Sequence, residues 1–325
     1  MQSIPEAAHA LPAATVHTDT NEYAPDPATC EVVVTLDVRP LRSEPIAWWL
    51  WWNVLSLDAP AVALVWSVLL VRSSGLGPRV PEVAALVLAV WIIYIADRLL
   101  DGLGSSAGSF LQRRHTYCAD HRLLFSALVL LSAGALSWII TERLEVRTVR
   151  AGLILGVIVV LYLGSIHANS WRFSRRVPKE IAVGMIFAAG TSLPLWSRAG
   201  RFERHDIFLG LLFGLLCSIN CLSIECWERP RRDRERRDPP PWIRWADSHL
   251  SAIALGLTIL AFFASCLPAW RGSLVLPVVA ISLAAFLTML LNSQRKRLSP
   301  EALRVLADAA LALPGLLALV LLYRP

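Results

Sequence analysis

The sequence carries little charge for its length. Asp, Glu, Lys and Arg make up 17% of its 325 residues, whereas a typical soluble domain carries about 25%. Hydrophobic residues reach 55%, and the mean hydropathy is +0.53. The apolar residues fall in blocks of about twenty, which is the length that a helix needs to cross about 30 Å of hydrocarbon. This pattern excludes a pair of soluble domains and predicts an all-α, polytopic membrane helix bundle.

The sequence also lacks the motifs of several protein classes. It has no P-loop, no nucleic-acid module and no Ser/His/Asp arrangement. The net charge is +6, but the basic residues stand between apolar spans, so we expect membrane lipid and anionic substrates as partners, and no nucleic acid. The cysteines show no metal-ligand spacing, and we expect them to pack as small buried residues: Cys30, Cys118, Cys217, Cys221, Cys226 and Cys266.

The chain divides into a polar tail and a membrane domain. Residues 1–44 are polar and rich in Ala, Pro and Thr, without a basic start followed by an apolar stretch, so they predict a disordered cytoplasmic tail and not a signal peptide. Residues 45–325 predict a domain of about nine membrane spans. The spans cover about 47–71, 81–103, 122–141, 150–169, 179–197, 207–227, 249–270, 273–292 and 301–323.

The distribution of basic residues predicts the orientation. Loops after even-numbered spans hold about twice as many Lys and Arg as loops after odd-numbered spans, and basic loops stay in the cytoplasm. We therefore expect an integral multi-pass protein of a bacterial plasma membrane, with its N-terminus in the cytoplasm. The loops at 104–121 and 228–248 should lie on that same side.

An acidic motif closes the second span. Asp97 and Asp101 are four residues apart, so both carboxylates project from one face of the helix, with Arg98 between them in sequence. Two like charges at this spacing favour a bound cation, and Mg²⁺ typically binds through one or two carboxylates plus phosphate oxygens. The alternative is a helix end at headgroup level, where Arg98 neutralises its neighbours.

A second polar cluster closes the sixth span. Asn220 lies inside an apolar run, and Glu225 and Glu228 follow one turn apart near the end of the span. The predicted topology brings both clusters to the cytoplasmic face. Two acidic clusters at one depth, each followed by basic loops, indicate a site for a divalent metal and an anionic group.

These motifs resemble those of the UbiA superfamily of intramembrane prenyltransferases. Asp97-Arg98-x-x-Asp101 is similar to the second half of the family's first Asp-rich motif, with Ile93 and Tyr94 at the places of the leading Asn and Asp. The end of the sixth span resembles the second motif, although Glu replaces Asp: Asn220, Glu225, Glu228 and Arg229. Basic residues after the fourth span and an Asn in the first also match the family's pattern: Arg175, Arg176, Lys179 and Asn53.

The resemblance implies a nine-helix, UbiA-like fold and a Mg²⁺-dependent prenyltransferase. The enzyme would move an isoprenyl group from an isoprenyl diphosphate to a lipophilic acceptor, either aromatic and quinone-like or a lipid. Asp97 and Asp101 would be catalytic, and the implied Mg²⁺ ligands are Asp97, Asp101, Glu225, Glu228 and Asn220. Arg98, Arg175, Arg176 and Lys179 would bind the diphosphate, while Asn53 and Tyr94 would line the cavity. The acceptor, the isoprenyl chain length and the oligomeric state stay open.

Single carboxylates inside spans favour a different class of function. Asp58 in the first span and Asp308 in the ninth have apolar surroundings, where a charge is expensive unless it has a partner. Each either faces a polar cavity or bonds a neighbouring helix, or it serves as a proton or ion relay. Among non-enzymatic membrane proteins the two aspartates favour a transporter, whereas the missing leading Asp of the first motif favours a degenerate UbiA-like protein. In the enzyme the two acidic clusters should converge across a cavity, whereas in a transporter these mid-span carboxylates should converge instead. A third class, the alcohol phosphatidyltransferases, needs a D-G-x-x-A-R run and a further Asp on the same helix. In this sequence Asp101-Gly102 is followed by neither.

Overall fold

The computed structural model describes residues 48–104, 117–118, 120–168, 179–198, 203–232, 241–268, 270 and 272–323. Within helices it leaves out the side chains at 101–104, 166–168 and 229–232. The predicted tail at 1–44 and the predicted diphosphate ligands Arg175 and Arg176 therefore lie outside the described residues. The side chain of Asp101 lies outside them as well.

The described residues are helical, with no β-strand among them. The α-helices are α1 (Trp51–Val54), α2 (Asp58–Ser73), α3 (Val80–Gly104), α4 (Arg122–Arg143), α5 (Val146–Ala168), α6 (Lys179–Trp196), α7 (Arg204–Arg232), α8 (Pro241–Ser265), α9 (Val275–Ser293) and α10 (Pro300–Tyr323). Short 3₁₀ turns at Trp48–Leu50 and Gly272–Leu274 precede α1 and α9.

Most of the predicted spans coincide with long apolar helices. Among the described residues, seven helices are long and apolar enough to cross a membrane, and the bent pair Trp48–Val54 and Asp58–Ser73 makes an eighth span if it counts as one. The polytopic all-α class is confirmed. The fifth predicted span lies on α6, which is not among these seven helices. Its 18 residues begin with Lys179-Glu180 and contain Thr191, Ser192 and Pro194, and these polar residues and the proline lower the hydropathy of the helix. A total of nine spans, and a UbiA-like fold, stay predictions.

The core of the bundle forms where α2 meets α7 and α10. Trp66 of α2 has no exposed surface, its ring stacks on Phe213 of α7 with ring centroids 4.4 Å apart, and its indole N–H donates to the carbonyl oxygen of Leu311 at 2.9 Å. Buried aliphatic side chains of α8 and α9 extend the same cluster. A buried indole with its N–H satisfied gives large contact area without an orphaned polar atom. This contact therefore fixes the first and last spans against the sixth.

A glycine sets the close approach of α6 to α7. A Cβ atom on Gly184 would lie 2.3 Å from the backbone nitrogen of Ser218 and 2.5 Å from its Cα, so a side chain there would push the two helices apart. Small residues at helix crossings let backbones approach in membranes. Ser218 lies two residues before Asn220 on α7, so this crossing also sets the position of the polar end of α7.

Gly184→Ala should destabilise the protein by about 1–3 kcal/mol, because the added methyl meets backbone and not a flexible side chain. Gly256→Ala is the matched control, since a Cβ on this glycine of α8 meets no atom within 4 Å. The control should be neutral or slightly stabilising, because Ala favours helix over Gly. Unfolding of the detergent-purified variants in increasing SDS measures the difference. Equal stability of the two variants would contradict the close α6–α7 crossing.

Candidate functional site in the bundle

The first span is broken at the point where its polar residues lie. The axes of the two segments, Trp48–Val54 and Asp58–Ser73, differ by 77°. Ser56 has a φ of 56° in the break, a left-handed conformation that is rare for a residue other than glycine. Asp58 begins α2, and its Oδ1 accepts a hydrogen bond from the backbone nitrogen of Ala59 at 2.9 Å. Its negative charge thus lies at the positive end of the α2 dipole.

Asn53 bridges the break. Its Nδ2 donates to Oδ2 of Asp58 at 2.5 Å, and both side chains are buried. Asn53 was predicted to line a cavity in the first span, and the structure places its amide on the only carboxylate of that span. The pair joins the end of α1 to the start of α2 on one side of the break.

Side chains of α3 donate to three carbonyl groups at the break, one of which, that of Asn53, also accepts a hydrogen bond from the backbone nitrogen of Ser56 at 3.1 Å. Arg98 donates from Nη1 to the oxygen of Val54 at 2.9 Å and from Nη2 to the oxygen of Asn53 at 3.0 Å. Trp91 donates to the oxygen of Leu55 at 3.1 Å. The last carbonyls of a helix have no partner within it, and such groups must be satisfied inside a membrane. Arg98 is only 4% exposed, so its described bonds are structural; diphosphate binding by Arg98 stays a prediction.

The two mid-span carboxyl groups meet beside this break. The carboxyl group of Asp308 of α10 lies close to that of Asp58 and interacts with it electrostatically. Asn220 of α7 donates from Nδ2 to Oδ1 of Asp308 at 3.4 Å, and Asn220 is 5% exposed. The side-chain oxygen Oδ1 of Asn220 is buried without a hydrogen-bond partner among the described residues. Residues from the predicted first, sixth and ninth spans therefore form one polar site, which we call the carboxyl pair with its two asparagines.

Titratable and basic side chains surround the carboxyl pair on three helices. Tyr94 and Arg98 of α3, Cys221 of α7 and Arg304 of α10 all interact electrostatically with one or both of its members. Arg304 also donates from Nη1 to Oε1 of Glu228 at 2.9 Å. The positive charge of Arg304 is thus shared between the carboxyl pair and the end of α7.

Three of the five predicted magnesium ligands have protein partners in the structure. Glu225 lies 3.9 Å from Nζ of Lys179, Glu228 binds Arg304, and Asn220 binds Asp308. Among the residues whose side chains are described, no group of three or more His, Cys, Asp and Glu side chains is close enough to hold a metal ion. The side chain of Asp101, a further predicted ligand, lies outside the described residues, so the Mg²⁺ site stays a prediction.

Lys179, a predicted diphosphate ligand at the start of α6, contacts residues of two other helices. The Tyr162 hydroxyl of α5 donates to the carbonyl oxygen of Lys179 at 3.3 Å, and Tyr162 interacts electrostatically with Asp97. Lys179 in turn pairs with Glu225. The structure therefore links one member of each acidic cluster, Asp97 and Glu225, to the same turn of α6.

The sequence did not single out Glu180, Trp91 or Arg304 as site residues. Glu180 is 4% exposed and interacts electrostatically with Tyr162 and Cys221. Glu180 and Arg304 stand in the first two turns of their helices, where a charge in the sequence is typical of headgroup level. Only the packing of α6 and α10 against α7 shows that they face the interior.

No family model matches the chain, and no curated protein or solved structure matches it either. The site itself is therefore the basis for any statement about function. The resemblance to the UbiA superfamily rests on the motifs quoted above.

Proposed function

We propose that this protein is a proton-coupled membrane transporter in which the carboxyl pair of Asp58 and Asp308 takes up and releases the coupling proton. The contact between these two side chains carries the proposal. Two ionised carboxylates repel each other in a buried site, whereas a proton on one of them lets it donate a hydrogen bond to the other. The pair is thus a proton-binding site within the membrane domain.

The broken first span supports transport as the use of that proton. Secondary transporters commonly bind substrate and coupling ion where a discontinuous helix exposes its ends inside the membrane. Irregular backbone at that depth is tolerated where protein covers it or where it lines a cavity. Here the break between Val54 and Asp58 adjoins the carboxyl pair directly, so a change at the pair acts on the ends of both half-helices.

The charges around the pair give proton release a consequence for the conformation. With one proton the pair carries one negative charge, and without it two charges of the same sign face each other in a medium of low dielectric constant. Arg304 is the basic group that can move to compensate, because it is shared with Glu228 on α7. Release of the proton would draw the Arg304 guanidinium from Glu228 towards the carboxyl pair and thereby loosen α10 from α7. Binding of a solute in the space so formed would complete the coupling.

Reconstituted protein tests this proposal. Proteoliposomes that contain a trapped pH-sensitive dye are exposed to a panel of amino acids, organic acids and organic cations under an imposed membrane potential. At least one solute class should cause a change of internal pH that protein-free liposomes and protonophore-treated proteoliposomes do not show. Solute uptake without any movement of protons would contradict a coupling role for the carboxyl pair.

The second candidate is the prenyltransferase that the UbiA resemblance implies. The ion pair of Lys179 with Glu225 supports it, because the resemblance makes Lys179 a diphosphate ligand and Glu225 a Mg²⁺ ligand. In that function Lys179 would bind a phosphate oxygen, and the apolar bundle would keep water from a developing allylic cation. Release of diphosphate from a panel of isoprenyl diphosphates with Mg²⁺, lowered by Asp97→Asn, would support this candidate over transport.

A further inference from the structure

A second polar site lies at the opposite end of the bundle from the carboxyl pair. A cavity of about 270 Å³ is bordered there by helix ends and the turns between them. It lies among the residues that follow α2, the turn that joins α4 to α5, and the end of α6. The lining residues are Leu76, Arg79, Glu145, Arg147, Ser197 and Arg198. Neither the carboxyl pair nor the predicted diphosphate site includes any of them.

A buried carboxylate holds two of the lining arginines in place. The Glu82 side chain is 3% exposed, and its two oxygens lie 3.7 Å from Nη1 of Arg79 and 3.6 Å from Nη1 of Arg198. Arg198 also donates to the carbonyl oxygen of Gly77 at 2.7 Å, and Arg79 donates to Glu145. Each guanidinium has five N–H donors, so both arginines keep further donors for a ligand while their positions are fixed.

The remaining lining groups add donors without a described acceptor. Arg147 is exposed and has no hydrogen bond or ion pair with the residues that the structure describes. The Ser197 hydroxyl accepts a hydrogen bond from Thr148 at 3.1 Å, which leaves its own O–H to donate. Three guanidinium groups face two carboxylates, Glu82 and Glu145, so one positive charge at the cavity is uncompensated.

We propose that this cavity binds a phosphate group, held by Arg147, Arg198 and the Ser197 hydroxyl. Guanidinium groups match the oxygens of a phosphate with paired, charge-assisted hydrogen bonds. The volume is below the usual range of pockets for drug-sized ligands, about 300–1,000 Å³, and therefore suits a small head group. Because the cavity lies among helix ends, it is at the depth of lipid headgroups. The phosphate belongs either to a phospholipid or to a soluble phosphate compound, and this inference does not depend on the proposed transport.

Lipid titration of the purified full-length protein tests the site. Native mass spectrometry follows the binding of a short-chain phosphatidylglycerol to the wild type, to Arg147→Gln and to Arg150→Gln. Arg150 is the matched control, because it is an exposed arginine on the same helix that does not line the cavity. We expect Arg147→Gln to weaken binding of one lipid by about tenfold, the usual size of a lost charge-assisted contact, and Arg150→Gln to leave it unchanged.

Two further arms identify the phosphate and its source. A short-chain diacylglycerol, which lacks the phosphate, should not bind at this site. Displacement of the bound phosphatidylglycerol by inorganic phosphate at constant ionic strength would assign the site to a soluble phosphate compound, and its persistence would assign the site to lipid. Equal lipid affinity in wild type and Arg147→Gln, or equal binding of the diacylglycerol, would overturn the proposal. Arg147 has no described partner, so loss of folding in this variant is not expected to obscure the result.

Discussion

Asp308→Asn should reduce solute-coupled proton movement to the level of protein-free liposomes while the bundle stays folded. Asparagine has the shape of a protonated aspartate, and its amide can donate to Asp58 as the shared proton does. The substitution therefore preserves the contact between α2 and α10 but removes the group that can take up and release a proton. The dye-loaded proteoliposomes described above measure the flux, and the SDS unfolding profile measures the fold.

The control for this variant is Asp247→Asn. Asp247 pairs with Arg295 at the surface, outside the carboxyl pair and its asparagines. Exposed ion pairs contribute little to stability, so Asp247→Asn should keep both the fold and the proton flux unchanged. Infrared spectra give an independent reading, since the C=O stretch of a protonated carboxyl group should be present in the wild type at neutral pH and absent in Asp308→Asn. Unchanged proton flux in Asp308→Asn would show that Asp308 is not the coupling group.

Aspartates 58 and 308 show what the sequence could predict about the site. Each stood out because a carboxylate inside an apolar run needs a partner, and convergence of the two was expected in a transporter. The sequence alone could not show that convergence, since 250 positions separate them and no local pattern relates the first span to the last. The contact follows from the packing of α2 against α10, which Trp66 and Leu311 fix.

The opposite case is Arg98, whose surroundings the sequence did not predict. Its place between two aspartates indicated either a phosphate ligand or a neutraliser of its neighbours in sequence. The break in the first span supplies different partners, the carbonyl oxygens of Asn53 and Val54. Periodicity over 47–71 predicts one continuous span, because the residues on both sides of the break are equally apolar. A bend that depends on partners from α3 leaves no signal in that pattern.

Arg98→Ala should cause the largest loss of stability of any single substitution considered for this bundle, about 3–5 kcal/mol. The change removes a buried cation with two hydrogen bonds. It leaves the Val54 carbonyl without a donor and the Asn53 carbonyl with only the backbone N–H of Ser56. It also removes a positive charge from the neighbourhood of Asp58. The stability of Arg98→Lys should lie between that of the wild type and that of Arg98→Ala. An ammonium group is a single point charge and cannot reach both carbonyl oxygens with the geometry of a guanidinium.

Arg72→Ala is the matched control for the Arg98 variants. The Arg72 guanidinium lies over the ring of Tyr323, 4.7 Å from its centroid. Such a contact at a partly exposed site contributes about 0.5–1 kcal/mol. SDS unfolding of detergent-purified protein should therefore rank wild type and Arg72→Ala above Arg98→Lys, and Arg98→Ala last. A different result is expected if Arg98 serves the diphosphate of an isoprenyl substrate. In that case Arg98→Ala would keep the stability of the Arg72 control and lose affinity for isoprenyl diphosphate, because the carbonyl groups at the break would have found other partners.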